Sequence, residues 1–137
     1  MLTEAVADAD YSGKAFMGVA GETIAFGKTV YLNLNDTRWY LTLANSEATS
    51  GKFVTMCVDV NGSTAGNPIT LLKSGFVRKD ALLSPTKGVV QYLSDTSAGD
   101  IQESKPSDPG HVQRRVGYGS MTAHTIYFEA DMDVVIV

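Results

Sequence analysis

One cysteine, two histidines and one tryptophan are all that this chain of 137 residues holds of the types that most often carry crosslinks, metals or stacked ligands. A single cysteine, Cys57, excludes any intrachain disulfide, so stability must come from packing or oligomerisation. It lies in Phe53-Val54-Thr55-Met56-Cys57-Val58 and reads as a small buried hydrophobe. His111 and His124 show no short His/Cys ligand spacing, and no nucleophile motif such as Gly-x-Ser-x-Gly is present. Neither a catalytic residue nor a metal site nor a cofactor is expected, and the chain does not read as an enzyme.

Long apolar runs are missing as well. No stretch approaches the roughly 18 apolar residues of a membrane span, so no membrane partner is expected. Basic residues are scarce: Arg78–Lys79 and Arg114–Arg115 are the only adjacent pairs, against a net charge of −4 and a pI near 5.0. Nucleic-acid binding rests on clustered Lys and Arg that displace counterions, so nucleic acid is excluded as the expected partner. Met1 to Ala5 lacks the basic and apolar regions of a secretory signal, which points to synthesis in the cytoplasm.

Two motifs fall short of the chemistry they suggest. Gly21 to Thr29 ends like a phosphate-binding loop, but five residues separate its glycines where four are required, and Val30-Tyr31-Leu32-Asn33 continues as a strand where a helix is needed. Asp59-Val60-Asn61-Gly62-Ser63 has its glycine at the fourth position of a would-be calcium loop instead of the sixth, and the twelfth is Thr70. A turn at Asn61-Gly62 explains it better. Asp8/Asp10 and Asp131/Asp133 read as solvated edge charges.

What is present is a succession of short β-branched and aromatic runs punctuated by Gly, Asn, Asp and Ser. The expected fold is all-β: a small β-barrel or β-sandwich, residues 15–137, preceded by an N-terminal arm at 1–14. Strands are expected at Ala15–Val19, Thr29–Leu34, Arg38–Leu43, Lys52–Val60, Ile69–Leu72, Gly75–Val77, Val89–Leu93, Arg114–Ser120, Thr125–Glu129 and Asp133–Val137. The pair 29–34 and 38–43 forms a hairpin around Asn35-Asp36-Thr37. A turn or short helix occupies Leu43 to Ser50, and Ser94 to Gln113 is the longest loop, the kind that is often functional. Gly27 to Asn33 echoes Gly88 to Ser94, which supports the same strand chemistry in both. The apolar Val134-Val135-Ile136-Val137 must be paired to avoid a bare edge. Trp39 and Tyr40 are candidates for a stacking platform on a sugar or a protein.

In the second half, Gly88-Val89-Val90-Gln91-Tyr92-Leu93-Ser94 is followed by Gly99, Ile101, Pro106-Ser107, Gly110, Gln113, Val116-Gly117-Tyr118 and Ile126-Tyr127-Phe128. This order resembles a module of tailed-bacteriophage virion proteins, found in head-decoration or cement proteins and in the attachment regions of head and tail fibres. The resemblance spans about residues 84–130, with a fainter match at Gly21–Leu34. Gln91, the Arg114-Arg115 pair and Glu129-Ala130-Asp131 depart from the pattern. The resemblance implies a homotrimer on the capsid exterior, in contact with the major capsid protein, stabilising or decorating the virion. The candidate contacts are Leu2 and Tyr11 in the arm, Ile101 in the long loop, and Arg114 and Arg115. The competing expectation is a carbohydrate- or receptor-binding module of a fibre or tail tip, working through Trp39 and Tyr40.

Overall fold

The structure, a computed structural model, describes Thr3 and residues 6–137. Eleven strands are found among these residues: β1 (Asp10–Val19), β2 (Thr29–Asn33), β3 (Arg38–Leu41), β4 (Val54–Cys57), β5 (Pro68–Arg78), β6 (Val90–Leu93), β7 (Ile101–Gln102), β8 (Val112–Gln113), β9 (Arg115–Gly119), β10 (Thr125–Glu129) and β11 (Val135–Ile136). The chain is nearly all-β, as expected. Its main sheet runs β3-β2-β4-β5-β10-β9-β6-β7, with β1 on β5, and curls into half a barrel. A parallel bridge from Ala20 to Trp39 brings the end of β1 back towards β3. β8 and β11 form a separate pair that gives the apolar C-terminal run its partner inside the chain.

The long strand β5 organises the rest. Along one edge it carries β1 over its whole length, with Asp10 opposite Arg78 and Val19 opposite Pro68. Along the other it carries β4 at Leu71 and Leu72 and then β10 from Ser74 to Arg78. Lys14 pairs Ser74 while Ala15 pairs Leu72, so Lys73 is an extra residue, a β-bulge. One extra residue reverses the pleat, because side chains alternate with a period of two. Leu71 and Ile69 therefore enter one core, with Ala20, Ile24, Val30, Trp39 and Cys57, whereas Val77 enters the other, with Met56, Val116, Ile126 and Phe128.

Close approach at the bulge depends on glycine. Gly13 and Gly75 face each other with φ of 147° and 150°, and a Cβ on Gly75 would stand 2.1 Å from the Ser12 carbonyl oxygen.

Several boundaries differ from expectation for stated reasons. The two strands expected at 69–72 and 75–77 are one, since the bulge at Lys73-Ser74-Gly75 mimics a turn in sequence. Asp10 to Lys14, counted with the arm, are the first half of β1. Only Val54–Cys57 of the expected 52–60 strand is paired as strand. Leu43 to Ser50 keeps a single 3-10 turn at Glu47–Thr49, for which Ser46 supplies no side-chain cap. The loop at 94–113 contains β7 and β8.

Candidate interaction surface

Beyond the bulge the sheet buries chiefly one face. The inward positions Val77, Ile126, Phe128 and Val116 are buried. On the opposite face a row crosses four strands in register: Phe76 on β5 pairs Tyr127 on β10, Tyr127 pairs Tyr118 on β9, and Tyr118 pairs Val90 on β6. The rings touch along the row, Phe76 and Tyr127 edge-on with centroids 5.1 Å apart, Tyr127 and Tyr118 stacked at 5.4 Å. Cross-strand aromatic pairs of this kind stabilise a sheet even at its surface. The row nevertheless stays open to solvent at its far end, where Tyr118 is 44% and Val90 38% exposed.

Next to the row β4 and β10 diverge from the same edge of β5, and the wedge between them is a groove of about 800 Å³. Phe53, Lys73, Arg115, Tyr118, Tyr127 and Met132 are among its lining residues. Phe53 links it to the closed side of the sheet, stacking on Phe16 at 5.9 Å and meeting Trp39 edge-on at 5.3 Å. Burial pushes the Tyr127 hydroxyl pKa up, helped by the charge of Glu129, so the ring stays neutral well past physiological pH. The Asp133 backbone N–H and the Arg115 guanidinium, 2.7 Å away, hold the Asp131 carboxyl below the usual carboxylate range.

The adjacent arginines, both expected as partner contacts, have opposite fates. The Arg115 side chain is 62% exposed at the groove rim. Arg114 is 5% exposed: its guanidinium donates to the carbonyl oxygens of Ser50 and Asp131, each at 2.8 Å, and of Lys52. Strand alternation sends neighbours to opposite sides, so only one of the two is available to a partner. Arg114 instead staples the approach to β4 to the segment after β10, closing the base of the wedge.

The Trp39–Tyr40 platform is also corrected. Trp39 is 4% exposed, packed among Phe16, Phe53 and Gly18, because it points into the core that the curled half encloses. Tyr40 is half-buried and hydrogen-bonds Asp36. Tyr11 is half-buried against the second core, and Ile101 is half-buried in β7. Leu2 lies outside the described residues. The exposed aromatics among the described residues are Phe53 and Tyr118, which in sequence are indistinguishable from core strand residues.

A second grouping was invisible in sequence spacing. Ser94 O and Val112 N both bond to the backbone of Ala44, each at 2.8 Å, which pins the neck of the 94–113 loop. The residues just beyond that neck, Asp95 and His111, meet with Oδ2 and Nδ1 2.9 Å apart. Asp108 joins them, so that one ligand-capable atom from each of the three lies within 4.8 Å of the others. The His111 hydrogen bond keeps the Asp95 carboxyl ionised below its usual range. Cys57, by contrast, is buried in a core and its thiol pKa is pushed up to about 11 by burial, which leaves it a packing residue at neutral pH.

The chain matches no protein-family model and no curated protein sequence. Among the described residues no helix is long and apolar enough to cross a membrane.

Proposed function

We propose that this protein is a structural component of a phage virion that binds the outside of the capsid as a homotrimer and stabilises or decorates it, as a cement protein or the base of a head fibre. The observation that carries the reading is the apolar row Phe76–Tyr127–Tyr118–Val90, half-buried at Phe76 and Tyr127 and open at Tyr118 and Val90, beside a groove that Phe53 also lines. Tyr and Phe at the centre of a patch, with Arg115 and acidic residues at its rim, are the composition of a protein–protein contact. The resemblance over about residues 84–130 supplies the virion context, and this row lies largely within that stretch. The mechanism is binding alone: each copy adds buried area where capsid subunits meet, and three linked copies multiply a modest contact by avidity.

The alternative, a carbohydrate-binding module using Trp39 and Tyr40, loses its platform with the burial of Trp39. Light scattering tests the oligomer, with three times the chain mass of 14.6 kDa expected. Co-sedimentation with capsids of the encoding phage tests the rest. Saturable occupancy that Tyr118→Ser abolishes supports the reading, and its absence on those capsids removes it.

A further inference from the structure

We infer that Asp95, Asp108 and His111 form a binding site for a divalent transition-metal ion of the Zn²⁺ type, which clips the neck of the 94–113 loop. Three features converge there. The donors are one imidazole nitrogen and two carboxylates, brought within 4.8 Å of one another from positions 13 and 16 residues apart. The 2.9 Å between Asp95 Oδ2 and His111 Nδ1 is a hydrogen-bond length, and opening it by about 0.5 Å gives the tetrahedral angle at an ion with bonds near 2.1 Å. The ion replaces the hydrogen bond between those two atoms, and any proton on His111 Nδ1 passes to Nε2 or to solvent.

The backbone under the donors is held independently of any ion. Ser94 and Val112 are fixed on Ala44, the His111 N–H donates to the Asp108 carbonyl at 3.0 Å, and Gly110 and His111 exchange bonds with Val137 at 2.7 and 2.9 Å. Two of the three ligands thus sit on a preformed frame, and Asp108, the exposed one, closes over them. An imidazole with two carboxylates and no thiolate suits Zn²⁺, Co²⁺ or Ni²⁺ better than Ca²⁺ or Mg²⁺, which prefer all-oxygen sets. Three protein ligands leave room for water. By joining residues 95 and 111 the ion closes the neck of a loop otherwise held by Ile101, Pro106 and Val112.

The test is calorimetric titration of the full, tag-free chain, stripped with chelator, with Zn²⁺ and separately with Ca²⁺ and Mg²⁺. Co²⁺ serves as the spectroscopic probe through its visible bands. One equivalent of Zn²⁺ is expected to bind, with slower proteolysis of the loop and no comparable uptake of Ca²⁺ or Mg²⁺. Asp108→Asn is the decisive variant, because it leaves the Asp95–His111 pair and the Asp108 carbonyl in place. Its melting temperature without metal should be unchanged, while Zn²⁺ affinity falls by more than the roughly 10–100-fold that loss of an outer hydrogen-bond partner costs. His124→Gln should bind as the parent does. No saturable Zn²⁺ binding, unchanged affinity in Asp108→Asn, or preference for Ca²⁺ would each overturn the site.

Discussion

The two ends of β5 lie in different environments although one strand runs through both. Towards Pro68 its neighbour β4 is buried at all four positions, with Val54 and Met56 in one core and Cys57 in the other. Towards Arg78, β10, β9 and β6 bury chiefly their inward residues, and the aromatic row on the other face is half-buried and opens at Tyr118 and Val90. A strand buried on both faces is committed wholly to stability. A strand buried on one face leaves the other open to solvent, and the bulge at Lys73 is where the chain passes from one condition to the other.

The contrast predicts unequal costs on the two faces of the open half. Phe128→Ala, on the inward face, should destabilise by about 3–5 kcal/mol in denaturant unfolding, through lost transfer energy and the cavity left behind. Arg114→Met should cost about 3 kcal/mol, since it leaves the carbonyls of Ser50, Lys52 and Asp131 without their charged donor. A loss under about 1 kcal/mol would mean that the wedge is closed by something other than this staple.

In the closed half, Cys57 makes stability depend on pH. Its pKa rises from an ordinary 9.0 to about 11 on folding. The folded state therefore holds the proton more tightly than the unfolded one. The resulting stabilisation is complete below pH 9 and is lost as pH rises through about 11, a change on the order of 2 kcal/mol. Tyrosines titrate in the same window, so the readout is the difference between the parent and Cys57→Ala in unfolding curves from pH 8 to 11, with the alanine chain losing less. The smallest stability effect is expected on the open face: Tyr118→Ser should change unfolding by less than about 1 kcal/mol while removing capsid retention. A large destabilisation there would erase the distinction between the two faces.

Much of the strand pattern was legible in sequence because it rests on local chemistry. The hairpin of β2 and β3 pairs Tyr31 with Tyr40 and Leu32 with Trp39, around a turn in which Thr37 takes φ 57°. The echo between Gly27–Asn33 and Gly88–Ser94 corresponds to β2 and β6, each preceded by a glycine of positive φ, and the aligned Val30 and Gln91 are both buried. The continuity of β5 was not legible, because Lys-Ser-Gly reads the same in a bulge as in a turn. Nor was the fate of Arg114 against Arg115, which depends on the phase of β9 against strands far away in sequence. The trio Asp95, Asp108 and His111 was hidden for a similar reason: no local period links them, and only the anchoring of Ser94 and Val112 on Ala44 does so.

The extra residue at Lys73 has a consequence for how such a protein changes over generations. Because it sets the outward row at 76, 127, 118 and 90 apart from the columns that fill either core, substitutions at the open end of that row, Tyr118 and Val90, weigh less on folding than substitutions in the cores. Losing the extra residue would turn the strand beyond it inside out, so deletion there is barred while replacement on the open face is not. A lineage carrying this fold can thus exchange the surface it presents without redesigning the body that presents it.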